Sequence, residues 1–217
     1  MFENIIKNVH NRHPLIHCIT NYVSINDCAN IVLACGGAPI MAEDINEVSQ
    51  ITSICQGLDI NIGMLNDNKL SSMLKAGATA NELGIPVILD PVGAGSSDYR
   101  IKAVQNLMSN VQFGVIRGNV SEIKAIAAKQ GIHNIAAGVY ETMQKNKSAM
   151  GVEAGIADKI TDDNIKEMAD FINKLSQKTG AVIAVTGGID MVADENRVYA
   201  IRNGHKMMSL VTGAGCQ

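Results

Sequence analysis

The 217-residue chain carries 18 basic against 21 acidic side chains, a net charge of -3, with 47% of its residues apolar and 18% charged. This balance describes an ordinary folded domain and excludes the broad positive field that gathers nucleic acid or an anionic membrane surface. Four Tyr and three Phe, with no Trp, are too few rings for base stacking along a single strand. Cys18, Cys28, Cys35, Cys55 and Cys216 are odd in number and never spaced CxxC, which argues against a disulfide framework or a zinc knuckle. With no secretory leader pattern and no membrane-length apolar run, a reducing cytoplasm is expected.

Residues 2–11 read as a short amphipathic helix and residues 15–20, LIHCIT, as an apolar strand. Residues 25–35 predict a helix that stops at Gly36 and Gly37, because glycine accepts the left-handed conformation that ends a helix. Asp44 with Glu47 three residues on matches a capping box and opens a helix to about Cys55. Residues 58–62, 87–89, 113–116 and 181–185 are short, apolar and rich in branched side chains, the pattern of strands buried on both faces. Between them run helical patterns over 68–83, 98–109, 119–129 and 162–178, the last with Ile165, Met168, Ile172 and Leu175 in one stripe. Residues 190–201 read as a hairpin and 204–210 as one more strand, while 130–157 is the least periodic stretch and reads as a mobile excursion. Strand and helix alternating in this way predict an α/β domain with a mostly parallel central sheet and helices on both faces.

Ligands of such sheets sit beyond the carboxyl ends of the strands, which draws attention to Thr20, Asn21, Met41, Gly63, Met64, Asp90, Arg117, Thr186 and the final Gly213, Ala214, Gly215 and Cys216. Two glycines in TGAGC permit an anion nest of consecutive amides, or simply a tight loop. Asp90 at the end of VILD suits a magnesium ion and its waters, or an Asp-Pro turn. Asn119 and Glu122 in RGNVSE match a capping box that starts a helix. Arg117 offers a donor fork shaped for phosphate and Thr186 a hydroxyl at another strand end, although either also suits a surface salt bridge or a turn. His10, His13, His17, His133 and His205 lack ligand spacing and read as core or surface residues. Cys18, Cys28, Cys35 and Cys55 read as small buried hydrophobes, and Met64, Met207 and Met208 as core fillers.

Taken together, PLIHCITNYVSINDCAN, GGAPIMAED, LDINIG, GIPVILDPVGAG, IRGNVSEI, VTGGID and NGHKMMSLVTGAGC resemble, in order and over nearly the whole chain, the hydroxyethylthiazole kinases of thiamine salvage. That resemblance implies a three-layer α/β/α ribokinase-like fold. It also implies transfer of the γ-phosphoryl group of ATP to the primary alcohol of 5-(2-hydroxyethyl)-4-methylthiazole. Carried over by position, it places Asn21, Met41 and Gly213 at the thiazole alcohol, Arg117 and Thr186 at ATP, and Asp90 and Glu122 at magnesium. Gly213, Ala214, Gly215 and Cys216 match the anion hole, with Cys216 as the residue that accepts the alcohol proton. A free thiol is only a few per cent ionised at neutral pH, so a positioning role for Cys216 stands as the competing reading.

Members of the family form trimers with the thiazole site near a subunit boundary, so the resemblance implies a homotrimer. They also continue past the GAGC motif into further helices, so the resemblance implies one kinase domain over 1–217 without that helical segment. Two alternatives carry their own expectations. A ribokinase-like kinase for another small ring alcohol would phosphorylate a pyrimidine or pyridoxal alcohol. A catalytically silent ligand-binding protein would bind thiazole or nucleotide without forming product.

Overall fold

The computed structural model describes residues 2–132, 159–211 and 213–216. The expected excursion over 130–157 therefore lies, beyond Ile132, outside the described residues, as do His133 and Thr212. The chain divides into two compact units, one of Met1–Asp90, Leu107–Phe113 and Val211–Gln217, the other of Pro91–Asn106 and Gly114–Leu210.

In the first unit α1 (Phe2–Arg12) leads into β1 (Leu15–Ile19), and α2 (Ile25–Ala34) ends where Gly36 takes φ +93°. An L side chain is strained at that angle, and an ideal Cβ there would lie 2.7 Å from His10 Nδ1. A three-residue strand follows at once, β2 (Ala38–Ile40), too short for periodicity to reveal. After it come α3 (Val48–Ile54), β3 (Gly57–Asn61), α4 (Asp67–Glu82) and β4 (Val87–Asp90). β2, β1, β3 and β4 lie side by side in that order, all parallel, with Ile16 opposite Gly57 and Asn61 opposite Asp90. Ile19, Leu58, Ile60, Met73 and Leu89 fill the core. The capping box expected at Asp44 and Glu47 does not form: the Asp44 side chain accepts from the Asn46 amide in a local turn, and the helix begins only at Val48. A short acid that can satisfy its neighbour's amide in a turn competes with the helical geometry that capping needs. α4 does carry a side-chain cap, Asn66 Oδ1 accepting from Lys69 N at 2.9 Å.

The second unit holds most of α5 (Asp98–Asn110), then β5 (Val115–Asn119), α6 (Val120–Lys129), α7 (Ile165–Thr179), β6 (Val182–Thr186), β7 (Asp190–Ala193) and β8 (Val198–Ile201). β5 and β6 pair in parallel, whereas β6, β7 and β8 are antiparallel neighbours, which bears out the expected hairpin. Met168, Ile172 and Leu175 of the predicted stripe are buried on α7, together with Phe171. The strand expected over 204–210 is instead a 3-10 turn, Lys206–Leu210, closed by Met208 N donating to His205 O. Met207 is 66% and Leu210 82% exposed, so no burial favours an extended strand at these positions. Met64 and Met208 are likewise exposed, not core fillers, and Cys35 is exposed, whereas Cys18, Cys28 and Cys55 are buried as expected. Burial pushes all three of those thiols up, the condition of an inert packed cysteine.

Candidate active site

Within the first unit a chain of side-chain hydrogen bonds joins three strand ends to the glycine turn. Asn21, just past β1, sits with Oδ1 accepting from Ser24 N and Ser24 Oγ, each at 3.1 Å, which fixes the loop into α2. Its Nδ2 donates to Asn61 Oδ1 at 3.2 Å and reaches Cys216 Sγ at 3.5 Å. Asn61, the last residue of β3, passes the link on by donating from Nδ2 to Asp90 Oδ2 at 2.7 Å, while its Oδ1 also accepts from Gly63 N at 2.9 Å. Asn21, Asn61 and Asp90 are all buried. Each amide orientation is settled by having donors on its oxygen side and acceptors on its nitrogen side. Gly63 has to be small, because an ideal Cβ there would stand 2.9 Å from Asn61 Oδ1 and 3.0 Å from Asn21 Nδ2.

The turn ahead of Cys216 depends on Gly213 at φ +78°. Ala214 N donates to Val211 O at 3.3 Å, Cys216 N to Gly213 O at 2.7 Å, and Cys28 Sγ lies 3.4 Å from Cys216 O. Met41 stands apart from this hydrogen-bonded chain, half-buried on the loop after β2. Its neighbour Ala42 is anchored by His17, whose Nε2 donates to Ala42 O at 2.8 Å and whose Nδ1 pairs with the Thr52 hydroxyl at 2.9 Å. Burial pushes the His17 imidazole below its usual value, against the opposing pull of the Ala42 carbonyl and the Glu47 carboxylate.

Within the second unit Glu122 forms the predicted capping box: Asn119 Oδ1 accepts from Glu122 N at 3.0 Å, and Glu122 Oε2 accepts from Asn119 N at 2.8 Å. Its other oxygen accepts from Gly93 N at 2.8 Å, in a turn where Gly93 has φ +66°. Burial raises the Glu122 carboxyl above its usual range, although the Gly93 and Asn119 amides and the charges of Arg117 and Arg100 work the other way. Arg117 lies inside β5, not beyond it, because the strand runs two to three residues later than the apolar run suggests. Thr186 ends β6 opposite Asn119, with Oγ1 3.4 Å from Gly118 O. Asn21, Asp90 and the glycine turn thus gather in one unit, and Arg117, Glu122 and Thr186 in the other.

Two residues that sequence reasoning missed stand out. Asn61 was legible as the one amide at the end of the strand run GLDIN; Lys69 gave no signal, being a lysine in a helical pattern, yet it is buried. Among the described residues no group of three or more His, Cys, Asp or Glu forms a metal cage. Single hard carboxylates such as Asp90 and Glu122 suit magnesium, which takes one or two carboxylates and completes its shell with water and substrate phosphates.

The family model for the hydroxyethylthiazole kinase family matches residues 6–217. The chain is 52% identical over 216 residues to the hydroxyethylthiazole kinase of Clostridium acetobutylicum, covering 100% of this chain and 73% of that protein. The chain belongs to the hydroxyethylthiazole kinase family. A relative in this family from Methanobrevibacter smithii is 44% identical over 212 residues, covering 98% of this chain and 70% of its own length. The solved hydroxyethylthiazole kinase of Pyrococcus horikoshii OT3 matches with a TM-score of 0.80 at 32% identity, over 98% of this chain and 71% of that one. A ribokinase-like superfamily protein of Enterococcus faecalis V583, at 11% identity and a TM-score of 0.54 over 93% of this chain and 66% of its own, shares the fold alone. Hydroxyethylthiazole kinase family membership and these likenesses make the fold a three-layer α/β/α ribokinase-like one with a mostly parallel sheet. Among the described residues no helix is long and apolar enough to cross a membrane.

Proposed function

We propose that this chain acts as one kinase domain that moves the γ-phosphoryl group of ATP to the primary alcohol of 5-(2-hydroxyethyl)-4-methylthiazole, in the cytoplasm and as a homotrimer. The observation that carries this reading is the chain from buried Asp90, Asn61 and Asn21 to half-buried Cys216, which joins residues proposed for magnesium, substrate and proton transfer by hydrogen bonds of 2.7, 3.2 and 3.5 Å. In the reaction the bond from the γ-phosphorus to the bridging oxygen of ADP breaks as the alcohol oxygen bonds to phosphorus. The alcohol proton goes to the Cys216 sulfur. Such a transition state is loose, so alignment and neutralisation of phosphate charge account for most of the rate.

Asn21 and Met41 would line the ring and Gly213 the hydroxyethyl arm. The glycine at 213, free to take a positive φ, lets backbone come close to the acceptor, with the amides of Ala214 and Gly215 completing an anion hole. Arg117 and Thr186 would hold the nucleotide. Asp90 and Glu122 would hold magnesium, which when bound supplies positive charge to the phosphate oxygens. Exposed Tyr22, Val23, Ile31 and Leu33 at and ahead of α2 offer apolar surface that a trimer would bury.

The test is ADP release measured with the thiazole alcohol, without it, and with pyrimidine and pyridoxal alcohols. Release that depends on the thiazole alcohol and exceeds that with the others is expected. Binding without release would instead establish the silent ligand-binding alternative.

A further inference from the structure

Among the described residues, Lys69 on α4 is the most buried lysine, arginine or carboxylate side chain outside the site just described, with 2% of its side chain exposed. A buried ammonium is costly unless its donors are met, and here they are. Nζ donates to Thr20 O at 2.6 Å, pairs with Glu43 Oε2 at 2.7 Å, and lies 4.4 Å from the centre of the Tyr22 ring, where the π face meets the remaining charge. Tyr22 in turn hydrogen-bonds through its hydroxyl to Glu43 Oε1. Burial alone would raise the Glu43 carboxyl, but the hydrogen bonds from Lys69 and Tyr22 and the Lys69 charge outweigh it and hold the group below its usual range.

The partners of this one ammonium fall on two loops. Thr20 and Tyr22 flank Asn21 on the loop after β1, and Glu43 follows Met41 by two residues on the loop after β2. α4 is capped by Asn66, whose side chain accepts from Lys69 N, so the lysine projects from a fixed helix start. The second loop is also held by His17, whose Nε2 donates to Ala42 O. Each of the two proposed ring-lining residues therefore sits within two positions of a group that Lys69 binds.

We propose that Lys69 is a positioning residue for substrate recognition: its ammonium ties the loops after β1 and β2 into one wall and thereby sets how tightly the alcohol is held at Asn21 and Met41. This rests on the reading of Asn21 and Met41 as substrate contacts, and the experiment separates the two. Lys69→Met, Lys69→Arg, Glu43→Gln, Asn21→Ala and Met41→Ala are compared for kcat, KM for the thiazole alcohol and KM for ATP. Titration calorimetry of the alcohol without ATP accompanies the kinetics.

Lys69→Met should raise KM and the calorimetric Kd for the alcohol roughly tenfold, with kcat at saturating alcohol and KM for ATP within about threefold of the parent. Lys69→Arg, which keeps charge and donors, should recover part of that loss. If Lys69→Met does not fold, Glu43→Gln, at a partly exposed position, should show the same split on a smaller scale. An unchanged KM for the alcohol in Lys69→Met or Glu43→Gln, while Asn21→Ala and Met41→Ala raise it, overturns the role of Lys69 and leaves the substrate contacts standing. An equal loss in kcat and both KM values also overturns it, as general damage. If Asn21→Ala and Met41→Ala leave KM unchanged, the substrate reading fails and the proposal with it.

Discussion

Replacing Asn61 by Asp changes one atom at the centre of the buried network and should turn a pH-indifferent link into a pH-sensitive one. Asn61 Nδ2 is 2.7 Å from Asp90 Oδ2, so the substitution sets two carboxylate oxygens at hydrogen-bond distance with no donor between them. The other oxygen still accepts from Asn21 and Gly63, which keeps the new side chain in place. Two carboxylates so close cannot both ionise, and the folded state must hold one shared proton.

The unfolded chain releases that proton near pH 4, so the pair's upper pKa is raised on folding, and the stability tied to it is present at low pH and lost as pH rises. The slope is about 1.4 kcal/mol per pH unit, or about 2.7 kcal/mol between roughly pH 5 and pH 7, a large part of the 5–15 kcal/mol typical of a domain. Urea melts of the parent, Asn61→Asp, Asp90→Asn and the double variant across this range make the measurement. In the double variant a donor again faces a carboxylate, so the excess slope should vanish while the single variant keeps it. A profile for Asn61→Asp parallel to the parent would refute the claim that the two side chains share a buried bond.

Gly63→Ala would drive a methyl to within 2.9 Å of Asn61 Oδ1, and should cost about 1–3 kcal/mol by denaturant melting together with a fall in kcat/KM. Cys216→Ser should lower turnover and reshape its pH profile; turnover unchanged across pH would remove the sulfur from proton transfer. Glu122→Gln leaves one of two amide donors, Gly93 N or Asn119 N, facing an NH2 group, at a cost of about 1–3 kcal/mol. Because burial raises the Glu122 carboxyl, the folded state binds its proton more readily than the unfolded chain does. The parent's advantage over this variant should therefore shrink as pH rises above about 4.3, and an advantage that grows with pH in chemical melts would contradict the burial argument.

The features legible in the sequence were those written in local chemistry. The α6 capping box follows from Asn119 and Glu122 alone, because both hydrogen bonds close within one helical turn. The hairpin of β7 and β8 follows from its polar turn, where Asp194 Oδ1 accepts from Asn196 N and Arg197 N. The same rule failed at Asp44 because Asn46 offered an even nearer donor. It failed at 204–210 because apolar residues alone do not make a strand without something to pack on. Lys69 was illegible for a different reason: its partners lie 49 and 26 residues back in the chain, and only the fold brings Thr20 and Glu43 to one ammonium.

The residue types in the buried chain are themselves constrained by its geometry. Asn21 has two donors on its oxygen and two acceptors on its nitrogen, so a carboxylate there would leave Asn61 Oδ1 and Cys216 Sγ facing oxygen. Asn61 has the reverse duty toward Asp90, where it must donate, and toward Gly63, where it must accept. A primary amide does both from one planar group without adding charge to a buried site. Two amides in series can therefore link the Asp90 carboxylate and the Cys216 sulfur across β1, β3 and β4 without adding a formal charge of their own. That economy suits a phosphotransferase: on the proposed reading of the site, an anion in place of either amide would oppose the negative phosphate groups of the nucleotide.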